Sequence, residues 1–368
     1  MNRTKVTDKH VQMLFALLRA SLHEVEPEDI YFQHATDEEW ERCFRLSVAQ
    51  GVSALAWGRI MQLPPEMRPP LGVKLTWASR VEMYEKTYRR YCHTAVELSE
   101  YYAHHGIVMM QMKGVGLSTL YPVPSYREGG DIDIYTYSAD RDRMSDEEAN
   151  RLADELMQRD GVDVDTVHPK HSKFYYKGIP IENHKTFLNV DNFKIAAQID
   201  QILRREMDPQ PTPLANGQVM TPSGVFNTLF IAFHALQHYG SGLALHHLCD
   251  WAVILKHYGL NIPDEVTDSQ FLTDLAAMTR LCNEYLGTKI RVEGGEAVAA
   301  LLLDEMLNPQ RTEPVPTTNK VGIIAFKIKR MLRAHRKKNK VLYSSLWNRV
   351  WTSVISHIRN PETIFSWS

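Results

Sequence analysis

Two aspartates one residue apart, Asp131 and Asp133, are the sharpest chemical feature of the chain. They lie in Gly129-Gly130-Asp131-Ile132-Asp133-Ile134-Tyr135, a run that reads as a strand. Alternate residues of a strand share a face, so the two carboxylates stand side by side while Ile132 and Ile134 turn to the opposite, buried face. Like charges held that close are costly unless a cation lies between them. Hard oxygen ligands at this spacing suit Mg²⁺. Phosphoryl and nucleotidyl transfer need such a site, because a metal ion neutralises phosphate oxygens and stabilises entering and leaving groups. A D-x-D is common by itself, so its companions matter.

Three companions stand out. Lys113-Gly114-Val115-Gly116 follows the apolar run Ile107 to Met112 and precedes a short apolar helix. Free backbone N–H groups there can hold phosphates, and the bland alternative is a plain turn with capping glycines. Arg127, four residues before Asp131, can clamp a triphosphate or form an ion pair with Asp131 or Glu128. Glu182, in Ile181-Glu182-Asn183, offers a third metal ligand or a general base, against a surface position on an edge strand.

The run M-K-G-V-G-L…L-Y-P-V-P-S-Y-R-E-G-G-D-I-D-I, followed by I-E-N-H, resembles a bacterial group of uncharacterised nucleotidyltransferases within the DNA polymerase β-like nucleotidyltransferase superfamily. The resemblance spans about residues 80 to 260. It implies an α+β fold, with a small polymerase β-like mixed sheet embedded between helical regions. It also implies catalytic and metal-binding roles for Asp131, Asp133 and Glu182, with Mg²⁺ or Mn²⁺ as cofactor and an NTP as substrate. Lys113, Gly114, Gly116 and Arg127 would bind the nucleotide. His184, His234, His238 and Asp250 match the pattern's later positions and would face the acceptor. One departure stands out: the superfamily's Gly-Ser after the first strand is Gly114-Val115 here, and Ser118 lies too far along to replace that serine.

Other candidates have blander readings. Asp163 and Asp165 form a second D-x-D without glycines or arginine, and read as the solvated face of an edge strand. His234 and His238 share a helix face. Two such histidines can bind zinc, but the helix is strongly apolar and lacks H-E-x-x-H, so core or interface histidines fit better. Asp250 is a candidate base or a helix ion-pair partner. His168 and His171 lie in an expected loop.

The elements that must position these residues are legible in outline. Residues 1–104 read as helices, ending in a long amphipathic stretch from about Val73 to His104, with Asp37 as a helix cap. Expected strands are Ile107 to Met112, Asp131 to Tyr135, Val162 to Val167, and a hairpin of Ser172 to Tyr176 with Ile179 to His184; Asp146 to Asp160 is a helix. Pro209 to Pro213 reads as a linker, and Ser223 caps the first of several later helices. The expected domains are 1–104 (helical), 105–208 (α/β), 209–313 (helical) and 314–368 (basic tail).

Composition bounds the rest. The chain has 368 residues, 44% hydrophobic and 23% charged, which suits a globular protein. The four cysteines are scattered, without a C-x-x-C, so a reducing cytosol and a cytoplasmic location are expected. No run of 18 apolar residues spans a membrane. Between Pro314 and Pro361 lie eleven basic residues and no acid. That segment carries +11 against a chain total of −2, leaving −13 on the remainder. Two amphipathic stripes in residues 320–358 suit an anionic surface or polymer, or simply packing on the acidic body. The expected function is metal-dependent transfer of NMP from an NTP to an unidentified small-molecule, peptide or RNA acceptor; the alternative is a non-catalytic nucleotide- or partner-binding module on the same fold.

Overall fold

The computed structural model describes residues 3–190 and 193–309, with a discontinuous set between 326 and 343. The basic-tail reading falls almost wholly outside the described residues. Four helices open the chain: α1 (Lys9–His23), α2 (Asp37–Ala49), α3 (Ser53–Trp57) and α4 (Leu71–Ala103). The cap of α2 is Thr36 rather than Asp37. Its hydroxyl accepts from the Glu39 N–H while Glu39 accepts from the Thr36 N–H, a reciprocal capping box.

The strands are β1 (Ile107–Gln111), β2 (Ile132–Ser138), β3 (Val164–Asp165), β4 (His171–Tyr176), β5 (Ile179–His184), β6 (Gln210–Leu214) and β7 (Gly217–Thr221). They form one mixed sheet in the order β3-β4-β5-β2-β1-β7-β6. The one-turn helix α5 (Val115–Ser118) and α6 (Asp146–Arg159) interrupt the strands, and α7 (Ala196–Arg205) precedes β6. The helices α8 (Gly224–Gln237), α9 (Leu245–Tyr258), α10 (Ser269–Leu281) and α11 (Glu296–Leu307) complete the described fold. The fold is thus mixed α+β.

The expected linker at 209–213 is instead β6. It pairs with β7 in a hairpin whose turn holds Asn216, and β7 joins β1 in parallel. Pro211 and Pro213 concealed it, since a proline cannot donate to the ladder; both are tolerated because β6 is an edge strand. Gly217 is required there, as a Cβ would lie 2.6 Å from Val96 Cγ1.

Each face of the sheet packs on its own apolar layer. Ile107, Met109, Ile132, Ile134, Phe174 and Ile181 pack with the C-terminal half of α4 and with α6. Met110, Tyr135 and Tyr137 join the larger core formed with α1, α3, α8, α9 and α10. The alternation of β2 therefore sends its isoleucines one way and Asp133 the other, toward the layer that contains α8 and α9. In the described residues no helix is long and apolar enough to cross a membrane.

Asp274 is a cost within this core. It is fully buried in α10; Gln270 donates to Oδ1 at 2.7 Å and Oδ2 has no partner. Burial pushes its pKa up to about 8. A carboxyl raised on folding favours the native state in its neutral form. Stability from this group is complete below the unfolded value near 4 and is lost as pH rises through about 8. Asp274→Asn is expected to raise Tm at pH 8 and leave it unchanged below about pH 4, as read by thermal melts across that window.

Candidate active site

The site starts from strand pairing. β2 and β5 run parallel with Asp133 opposite Glu182, both on the face away from Ile132 and Ile181. One oxygen from each of Asp131, Asp133 and Glu182 lies within 4.8 Å of the others. Asp133 is 1% exposed, whereas Asp131, just before the strand, keeps a side-chain exposure of 36%. The sheet thus forces three carboxylates together around a partly dry point.

Lys113 answers part of that charge. Its Nζ lies 3.0 Å from Asp133 Oδ2 and 3.9 Å from Asp131 Oδ1. His184, fully buried behind the site, places Nε2 3.1 Å from Asp133 Oδ1. Its Nδ1 lies 3.3 Å from the Thr186 carbonyl, so both ring nitrogens face acceptors. Burial and the nearby Lys170 nevertheless lower its pKa. We assign a neutral ring donating through Nε2, the shorter contact. Asp133 is held far below the ordinary carboxylate range: burial opposes its charge, but Lys113 and His184 outweigh burial. Asp131 moves the other way, raised to about 6 by burial and by the charge of Asp133, with Glu182 adding to it. Lys113 is raised as well; burial opposes its charge, and Asp133 and Asp131 prevail.

The residue types fit a divalent metal. All three converging ligands are hard oxygens. Asp133 Oδ2 is buried with no hydrogen bond beyond its ion pair with Lys113. Asp131, with a pKa near 6, has charge still to be stabilised by a stronger cation.

Several expected residues take other positions. Gly114 does adopt the left-handed region (φ +66°), and a Cβ there would press on Gln111 Nε2 and the Asp131 carbonyl at 3.2 and 3.3 Å. Gly116 is a packing glycine, because a Cβ would meet Thr221 of β7 at 2.9 Å. Arg127 pairs with neither Asp131 nor Glu128. Its Nε and Nη2 donate to the two oxygens of Asp250 at 2.8 and 2.9 Å, and Nη1 donates to the Gly114 carbonyl at 3.3 Å. Tyr121 also donates to Asp250 at 2.6 Å. In this structure Arg127 and Asp250 spend their charge on each other, so Asp250 takes the ion-pair position that was the blander expectation for it. His184 sits fully buried beneath Asp133.

His234 is near the site. Lys113 Nζ lies 3.2 Å from its Nε2, and the His238 and His247 rings pack beside it at tilted angles, with centroids 4.8 and 5.6 Å away. Burial and Lys113 hold His234 well below its usual pKa, so the ring is neutral and accepts from the ammonium. Asp163 and Asp165 are exposed around edge strand β3, as expected. His171 falls on β4 rather than in a loop, with Nδ1 3.6 Å from Glu182.

Sequence reasoning missed two further groups. Lys170 feels Asp133, Glu182 and Asp131 together, although burial lowers its pKa overall. Its only signal was its place in the loop before β4. Gln111 donates through Nε2 to the Lys113 carbonyl at 2.8 Å and the Asp133 carbonyl at 3.3 Å, tying the glycine turn to β2.

Comparison with known proteins decides the family. A family model described as "Uncharacterised nucleotidyltransferase" matches residues 36–287. The chain belongs to that family. Membership carries a general nucleotidyltransferase role, and the matched span includes Asp131, Asp133, Glu182 and the Arg127–Asp250 pair. No curated protein matches. A solved structure, an antigenic nucleotidyltransferase-like protein from Paracoccidioides brasiliensis, is similar at 12% identity over 58% of this chain and 93% of that one, with a TM-score of 0.35. So distant a likeness bears on neither the fold nor the activity.

The Arg127–Asp250 pair is nearly dry, with side-chain exposures of 10% and 7%. Removing one partner strands a buried charge, at a cost of about 3–5 kcal/mol. Asp250→Ala is expected to lower the urea midpoint accordingly. Arg127→Lys should recover little, since an ammonium cannot reproduce the two-pronged contact. A change under about 1 kcal/mol would assign the pair no structural role.

Proposed function

We propose that this chain is a metal-dependent nucleotidyltransferase that moves NMP from an NTP to a hydroxyl-bearing acceptor. The observation that carries the reading is the convergence of Asp131, Asp133 and Glu182 on one face of paired strands. These three would hold Mg²⁺ or Mn²⁺, which when bound neutralises phosphate oxygens and stabilises the entering and leaving groups.

The chain's own residues do the remaining work. His184 and Gln111 fix the Asp133 side chain and backbone from behind. Lys113, on a flexible stem beside Asp133, and Lys170 supply positive charge toward a polyphosphate. Arg127 keeps the Gly114 turn in place through the carbonyl of that residue. The acceptor oxygen attacks the α-phosphorus, the bond to the bridging oxygen breaks, and pyrophosphate leaves. The acceptor proton passes to a base, for which Glu182 is the candidate if it does not complete the metal site. The α8–α9 face with His234 and His238 is the candidate acceptor side.

Transfer from α-labelled NTP into cell extract tests the proposal. Asp131→Asn, Asp133→Asn and Glu182→Gln are each expected to reduce transfer by about 100-fold or more. Full transfer by Asp131→Ala would sink the assignment. Mg²⁺-dependent NTP binding without any transfer would favour a binding module instead.

A further inference from the structure

A shallow cleft, open to solvent, lies beside Asp131 between α4 and the Gly114 turn. One wall comes from a single helix face, where Tyr84, Tyr88 and Tyr91 follow one another at helical spacing with Thr87 among them. The tyrosine hydroxyls are tied back. Tyr84 accepts from Arg80 at 2.7 Å, Tyr88 accepts from Ser118 at 3.2 Å, and Tyr91 donates to the Gly130 carbonyl at 3.1 Å. Three aromatic side chains are therefore fixed in place around the cleft.

The charge around it is equally informative. Among the described residues the only cation lining the cleft is Arg127, and its charge is committed to Asp250. The other charged lining groups, Glu128 and Asp131, are acidic. Phosphates are unwelcome there. Lys113 and Lys170 instead gather around Asp133. A substrate reacting at the carboxylates is therefore offered cations around Asp133 and an aromatic, cation-poor cleft beside Asp131.

An NTP has that same division. Its phosphate chain is anionic, and its base is flat and uncharged, joined through one ribose to the phosphate that reacts. We propose that the α4 cleft takes the nucleobase of the NTP, stacked against the tyrosine side chains. Aromatic surfaces hold bases with little regard to sequence, and the cleft is open to solvent on the side away from α4 and the Gly114 turn, so a flat ring can lie against its wall without being enclosed. This assignment rests on reading Asp131, Asp133 and Glu182 as the phosphate–metal site.

Calorimetry on the full-length chain separates the two claims. The probes are Mg²⁺ with ATP, GTP, CTP or UTP, and Mg²⁺ with inorganic tripolyphosphate, which has no base. Thr87→Trp fills the cleft from a half-buried helix position, and Tyr91→Leu removes one ring; thermal melts check that both variants fold. Each is expected to weaken the favoured NTP about tenfold, the scale of one lost stacking contact, with tripolyphosphate affinity unchanged. Unchanged NTP affinity in both variants, with tripolyphosphate still bound, would overturn the base assignment and leave the metal site standing. Loss of transfer with undiminished NTP affinity would put the acceptor in the cleft and also overturn it. If wild type binds neither probe, the metal-site reading fails and the base assignment fails with it.

Discussion

Parallel pairing of β2 with β5 sets Glu182 directly opposite Asp133, and Asp131, the residue before β2, brings its carboxylate to the same point. Backbone hydrogen bonding thus brings three carboxylates together, and the rest of the site has to accommodate them. Lys113 offsets some of the charge from the end of β1. His184 supports Asp133 from the dry side, while Asp131 responds by holding its proton up to about pH 6. Apolar packing on the opposite face, through Ile132, Ile134 and Ile181, keeps the register from slipping. A one-residue slip would drive an aspartate into that layer.

A second constraint joins the glycine turn to the later helices. Arg127 leaves the loop before β2, holds the Gly114 carbonyl and closes on Asp250 of α9. Tyr121 completes the set from the loop after α5. The turn, β2 and α9 are therefore mechanically linked, and the α8–α9 face is held in a fixed relation to the carboxylates. Lys113 adds a second link by meeting His234 of α8. A buried ion pair brings little net stability over apolar contacts, so its value here is positional.

Much of this was legible in the sequence where one local rule sufficed. Period-two alternation revealed β2, the Lys177-Gly178 turn revealed the β4–β5 hairpin, and Ser223 revealed the start of α8. The D-x-D gave the shared face of Asp131 and Asp133 because strand geometry alone fixes it. Partners distant in sequence were not legible. Arg127 lies 123 residues from Asp250, and no local pattern links them. The nearer acids, Asp131 and Glu128, looked the better partners, but burial beside α9 decided otherwise. The depth of His184 beneath Asp133 was not legible either, because a motif gives order without depth. β6 was missed because prolines read as linker signals, and only its edge position makes them acceptable. The tyrosines of α4 had visible helical spacing, but such a stripe more often packs in a core.

The central claim is that the three carboxylates form a divalent-metal site rather than a salt-bridge network satisfied by lysines. Titrating the full-length protein with Mn²⁺ while following the free-ion electron paramagnetic resonance signal tests this directly. The account predicts that wild type depletes free Mn²⁺ to a stoichiometric end point, and that Asp133→Asn and Glu182→Gln lose this uptake while remaining folded. Equal uptake by wild type and both variants, or none by wild type, would contradict it.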